Sequence, residues 1–246
     1  MALADLVGGL APWVGVGEAL SGLNPPPYLV APTHRVSLVV PAYMEAGYID
    51  LLLISARNQT YPVSEMVVAD SSPLGDLTEE RAQDYGARVV KVPADNIAMS
   101  RNLGAEATSG DILLFCDADV IMSQRFVEAG MKVLESGAVL AHPKETLYDS
   151  TLWNLATWTA QLMRQPWYTT RCVMVWREGF DAVGGYDPAC NPLTHRCRED
   201  VDFGMRVAAL YGVESLKVLP PLVTTSARRY RQFGLQGWRY FHVPAR

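Results

Sequence analysis

Ile112-Leu113-Leu114-Phe115-Cys116-Asp117-Ala118-Asp119-Val120 decides how the rest of this chain is read. The apolar run from Ile112 to Cys116 predicts a short strand buried on both faces, as a parallel sheet requires. Such a strand delivers Asp117 and Asp119 at its carboxyl end, where open α/β sheets bind their ligands. Carboxylate oxygens are the hard ligands that Mg²⁺ or Mn²⁺ prefers, and Mg²⁺ usually takes only one or two from a protein beside substrate phosphates. A cation held there bridges to a diphosphate and neutralises a nucleotide leaving group. Asp-x-Asp alone is common, however, and by itself it is better explained by two solvated aspartates after a strand. Its company in the chain decides.

That company repeats one pattern. Val36 to Val40 predicts a buried strand closed by Pro41-Ala42-Tyr43-Met44-Glu45, and a helix follows with Ile49, Leu52, Leu53 and Ala56 on one face. Met66 to Ala69 is a second strand with Asp70-Ser71-Ser72-Pro73 at its end. Asp76 with Glu79 predicts a capping box for the next helix, then come a strand from Arg88 to Val92 and a helix from Ser100 to Thr108. Strands alternating with helices of this length imply an α/β domain with a mostly parallel sheet flanked by helices. Further on, Arg171 to Trp176 reads as a strand, Glu199-Asp200 opens a helix stopped by Gly212, and Leu216 to Leu219 is a last strand.

The 246 residues allow one large domain with appendages. Hydrophobic content of 49% against 19% charged residues excludes a disordered chain, and a net charge of −5 implies no general nucleic-acid partner. Residues 1–34 form an apolar, glycine-rich segment ending in the stiff Pro25-Pro26-Pro27 linker. It lacks the basic start of a signal peptide, and its uncharged core is too short to span a membrane. Four cysteines without Cys-x-x-Cys spacing suggest reduced thiols in a cytoplasmic protein; a Cys190–Cys197 loop closure is open to the chain, but nothing in the sequence supports it.

The runs VSLVVPAYMEAGYI, NQTYP, MVVADSS and RNLGAEATSGDILLFCDADV together resemble family 2 glycosyltransferases of the GT-A, Rossmann-like fold. The second half agrees: Phe180…Gly184-Gly185-Tyr186-Asp187, then Glu199-Asp200-Val201-Asp202-Phe203-Gly204-Met205-Arg206, resembles that family's acceptor motifs. The likeness runs over roughly residues 35–230 with its motifs in order. It departs at Met44, where Asn is usual, and at Ala69-Asp70-Ser71-Ser72, where Asp-Asp-Gly-Ser is commoner.

This resemblance implies a GT-A domain over 35–226, with 35–120 the nucleotide-sugar half and 121–226 the acceptor half, followed by an Arg/aromatic segment at 227–246. It implies an inverting transfer from a UDP- or GDP-sugar to a carbohydrate or lipid-linked acceptor, with Mn²⁺ or Mg²⁺ as cofactor. Pro41, Tyr43 and Glu45 would line the nucleotide pocket, and Asp70 would accept from a uracil or guanine ring N–H. Arg101 would reach the diphosphate or base, the competing reading being a solvated helix arginine. Asp119 would ligate the metal, with Asp117 on the ribose or a metal-bound water. Asp200 would be the general base, and Glu199, Trp176 and Gly185 would lie on the acceptor side. His142, His195 and His242 are available as a third metal ligand, and none is singled out.

Most aromatics between Leu147 and Trp176 are expected to be core. The arginines of Arg228-Arg229-Tyr230-Arg231 suit a diphosphate or an anionic lipid surface, and the Gln232–Phe241 tract suits a membrane interface. The termini are therefore candidate peripheral contacts at the cytoplasmic face. Gln236 followed by Trp238-Arg239 does not keep the Gln-x-x-Arg-Trp spacing of processive synthases, which favours one sugar per visit. A nucleotidyltransferase or a non-catalytic nucleotide-sugar-binding protein is the alternative; the first lacks its Gly-rich phosphate loop here, and the second has no need of Asp200 beside Asp119.

Overall fold

The computed structural model describes residues 29–94, 96–162, 166, 169, 171–190, 197–232 and 234. The apolar N-terminal segment, Trp167, Tyr168, His195, His242 and the Phe233, Trp238, Tyr240 and Phe241 aromatics lie outside the described residues. Among the described residues no helix is long and apolar enough to cross a membrane.

The strands are β1 (Val36–Ala42), β2 (Val63–Asp70), β3 (Arg88–Lys91), β4 (Ile112–Cys116), β5 (Val120–Met122), β6 (Leu140–Leu147), β7 (Cys172–Trp176) and β8 (Leu216–Thr225). The helices are α1 (Ile49–Arg57), α2 (Thr78–Asp84), α3 (Ile97–Glu106), α4 (Phe126–Glu135), α5 (Thr151–Leu162), α6 (Arg177–Ala182) and α7 (Glu199–Tyr211). One mixed sheet runs in the order β3-β2-β1-β4-β7-β6-β8-β5. Its first half, β3, β2, β1 and β4, is wholly parallel, as the alternation of strand and helix predicts. β7 is antiparallel to both β4 and β6, and β6 and β8 are again parallel.

The period-two geometry of a strand explains why the central strands carry unbroken apolar runs. Ile112, Leu114 and Cys116 of β4 enter one core with Leu38 and Val40 of β1, Leu52 and Leu53 of α1, and Phe126 and Met131 of α4. Leu113 and Phe115 point the other way, into a core with Val39, Phe180 of α6 and Phe203 and Val207 of α7. Each such side chain taken out of water contributes about 1.5–3 kcal/mol, so the middle of the sheet is its most stable part.

Three local expectations change. Asp76 accepts from the Thr78 amide at 2.9 Å, while Glu79 turns to Lys91 at 2.8 Å, so the Asp76–Glu79 capping box gives way to an ion pair. β8 does not stop at Leu219. It passes Pro220-Pro221 because the register slips there, with Leu219 opposite Pro143 and Pro221 opposite Lys144, which leaves Pro220 out of the ladder. Cys190 and Cys197 are joined in a disulfide, whereas Cys116 and Cys172 remain thiols.

Candidate functional site

Parallel strands align their carboxyl ends. Ala42 pairs with Asp70, and Val39 with Phe115, so the residues after β1, β2 and β4 meet along one edge. Glu45, Asp70, Asp117 and Asp119 all lie there and are all buried. β5 then pairs with β8, Val120 opposite Thr225, which carries Thr225 and the helical turn at 228–232 back against Asp119.

The acidic edge is matched by buried arginines. Arg101, on α3, donates to Asp117 at 3.0 Å and to Glu199 at 2.9 Å, and lies over the Tyr186 ring. It is 4% exposed, so it is not a solvated helix residue. It ties the donor strand to the first residue of α7. The close approach of α3 to β1 that sets this up needs Gly104, where a Cβ would stand 2.5 Å from Val39 Cγ1. Arg171, which no motif in the sequence marks as a site residue, lies 3.8 Å from Asp117 and 3.7 Å from Glu145. Its place follows from register, since Asp117 donates its amide to the Arg171 carbonyl.

Asp119 accepts from Thr225 Oγ1 at 3.1 Å and from Arg228 Nε at 3.0 Å. The same guanidinium reaches Glu45 at 2.5 Å and lies 4.3 Å from the Tyr48 ring. Among the described residues, Glu45 Oε2 is buried with no hydrogen-bond partner. Burial pushes the Glu45 pKa up, against the pull of Arg228. Two buried carboxylates sharing one guanidinium, with an oxygen left over, fit a hard divalent cation. Asp117 is engaged by both Arg101 and Arg171.

Asp70 is opposed by burial, but hydrogen bonds from Lys91 and Ser72 outweigh that and hold its pKa below the usual range. Pro41 is buried within β1, and the Tyr43 ring is exposed beside the site, free to cover a ligand. On the other side, Asp200 is ion-paired with Arg198 at 2.6 Å and accepts from the Val201 amide at 2.8 Å. Burial and the neighbouring charge of Asp200 raise the Glu199 pKa despite Arg101.

One acceptor-side assignment moves. Trp176 pairs with Ile112, at the end of β4 remote from Asp117, and donates its indole N–H to the Ala138 carbonyl. It is therefore not at the site, because β7 is antiparallel and points its last residue away. Gly185, at φ +70, lies in a packed turn where a Cβ would meet Asn102 Oδ1 at 2.8 Å; Asn102 clamps the Tyr186 backbone on both sides. His142, on β6, is hydrogen-bonded through Nε2 to the Pro166 carbonyl.

The family model described as "Glycosyl transferase family 2" matches residues 37–191. The chain belongs to glycosyl transferase family 2. Glycosyltransferase AglE of Haloferax volcanii is 31% identical over 112 residues, which are 42% of this chain and 36% of that protein. Curated relatives such as this one are thus much longer than the stretch they share with the family 2 chain. Among solved structures, glucosyl-3-phosphoglycerate synthase of Mycobacterium tuberculosis, in complex with Mn²⁺, UDP-glucose and phosphoglyceric acid, superposes with a TM-score of 0.59 at 22% identity, covering 85% of this chain and 77% of that one. The mannosyltransferase PcManGT of Pyrobaculum calidifontis, in complex with GDP-Man and Mn²⁺, gives 0.59 at 19% identity over 90% of this chain and 65% of that one. The fold is the GT-A fold of these enzymes.

Proposed function

We propose that this family 2 chain is a glycosyltransferase that moves one sugar from a UDP- or GDP-sugar to a hydroxyl of a carbohydrate or lipid-linked acceptor, with inversion. The observation that supports it best is the buried Arg101 bridge, which sets Glu199-Asp200 directly beside Asp117-Ala118-Asp119. A nucleotide-binding edge alone would have no use for that juxtaposition. The Mn²⁺ and nucleotide sugars held by the two solved relatives suggest the donor class and the cofactor.

Asp119 and Glu45 are the residues that would hold the cation, with Thr225 orienting the Asp119 carboxylate. A divalent cation bound there would neutralise the developing charge of the nucleoside diphosphate. Asp70 would accept from the base N–H, with Lys91 keeping it ionised, and Tyr43 would lie on the base. Asp200 would take the proton from the acceptor hydroxyl as that oxygen attacks the anomeric carbon, while Arg198 fixes the carboxylate's orientation. A base on the face opposite the leaving nucleotide implies inversion. Residues 35–120 would then serve the donor and 121–226 the acceptor.

Incubation of the protein with UDP-glucose and GDP-mannose, with Mn²⁺ and then with excess chelator, tests this reading. Slow release of free nucleotide from one donor, lost with chelator, is expected. A protein that binds a nucleotide sugar and never releases nucleotide, with or without an acceptor mixture, is a binding module and not a transferase.

A further inference from the structure

Arg228 stands where the proposed cation would act. Its Nε is 3.0 Å from Asp119 Oδ2 and its terminal nitrogen 2.5 Å from Glu45 Oε1. Resting on the reading of Asp119 as a metal ligand, we infer that Arg228 and the divalent cation compete for Asp119 and Glu45, so that the protein takes its metal together with the nucleotide and not before it.

The competition follows from the charges. Asp119 and Glu45 present two carboxylates to one guanidinium, and the second Glu45 oxygen is buried without a partner among the described residues. A divalent cation satisfies both carboxylates better than a single charge does, but like charges a few ångströms apart repel strongly where water is scarce. The guanidinium must therefore leave as the cation enters. Its backbone is not free to go with it. Asp149 accepts from the Ala227 amide at 2.6 Å, from Ser226 Oγ at 2.8 Å and from Arg231 at 2.6 Å, which pins the turn at 226–232. The long side chain alone must swing, and it needs another anion. The diphosphate of an incoming nucleotide supplies planar pairs of oxygens that suit a guanidinium fork. Nucleotide then frees Asp119 for metal, and by linkage metal favours nucleotide to the same degree.

Any nucleotide that brings its own phosphate ligands also couples to metal, so coupling by itself proves nothing. Metal binding without nucleotide does discriminate. In titrations of Mn²⁺ alone, with free Mn²⁺ read by electron paramagnetic resonance, Arg228→Met and Arg228→Gln should bind about 10- to 100-fold tighter than the native chain, because one unit charge has been removed beside the cation. With UDP or GDP present the advantage should shrink or reverse. Met keeps the length and aliphatic character of the stem and Gln keeps a polar head, so one folded variant suffices, judged by its thermal transition. Unchanged or weaker binding of Mn²⁺ alone overturns the inference. Asp119→Asn in the native and Arg228→Met backgrounds separates it from the site assignment: loss of Mn²⁺ in both supports the site and leaves the Arg228 comparison to decide. Retained Mn²⁺ places the cation elsewhere and overturns both.

Discussion

Asp200 has two physical roles open to it in the first turn of α7, and a single substitution separates them. As a cap and dipole partner it is replaceable by Asn, which is as good at a helix start. As a base it is not. Asp200→Asn should therefore lower kcat by about 10²–10⁴ while nucleotide affinity stays put, the pattern of an interaction made only in the transition state. Single-turnover transfer beside a nucleotide titration checks it, and a fully active Asn variant would end the assignment. Asp70 yields a second prediction, on two readouts. Loss of its carboxylate in Asp70→Asn should weaken UDP or GDP binding by about 1–3 kcal/mol and leave any adenine nucleotide untouched. The stability sign is also fixed. Its folded pKa lies below the ordinary 3.8, so the unfolded chain takes up the proton first, and the stability Asp70 supplies is present above about pH 4 and lost as pH falls through the folded value. Thermal melts between pH 5 and pH 3 should fall less steeply for Asp70→Asn than for the native chain.

The β1–α1 connection shows how an element is tuned by one backbone angle. Met44 sits at φ 56, the only non-glycine with positive φ among the described residues, and its amide donates to Ser72 Oγ at 2.7 Å. That region is costly for an ordinary side chain and tolerated by Asn. The family's usual Asn therefore has a conformational reason, and Met here bears the cost. Met44→Asn should raise stability by about 0.5–1 kcal/mol, read as a higher urea midpoint at unchanged slope. A lower midpoint would mean that the exposed Met44 side chain makes a contact worth more than the strain. The polar strand β6 shows the opposite case, an element kept by its partners. Nothing in Ala141-His142-Pro143-Lys144-Glu145 reads as a strand, yet the Glu145 backbone is held on both sides by Gln161, at 2.8 and 2.9 Å. Its buried carboxylate faces Arg171.

Across the whole molecule, the two cysteine pairs lie in different environments. Cys116 and Cys172 face each other across β4 and β7 at 3.2 Å as buried thiols, and burial with the neighbouring sulfur pushes the Cys116 thiol well up. Cys190–Cys197 closes the chain just ahead of Arg198-Glu199-Asp200. Thiol titration in denaturant without reductant should find two reactive thiols out of four, and four after reduction. Four before reduction would return the chain to the all-reduced state that its cysteine spacing suggested. Reduction should also cost about 2–3 kcal/mol of stability by loop-closure arithmetic, and it should loosen the entry to α7 more than the sheet.

Apolar runs, their period and the residues that close them are local properties, so the sequence by itself determined β1, β2, β4, β7, α1, α7 and the place of Asp70, Asp117, Asp119 and Asp200 at strand and helix ends. Family motifs in order determined the GT-A fold. Tertiary structure alone decided which charges meet. Glu45 and Arg228 are 183 residues apart, and Arg101 and Glu199 are 98 apart. No spacing rule reaches that far, because the pairing depends on which strands are neighbours and which end of each is carboxyl. The same reason turned Trp176 away from the site, took Arg101 out of solvent and set Arg228 against Asp119: a long side chain's partner is chosen by the packed fold, not by its neighbours in the chain.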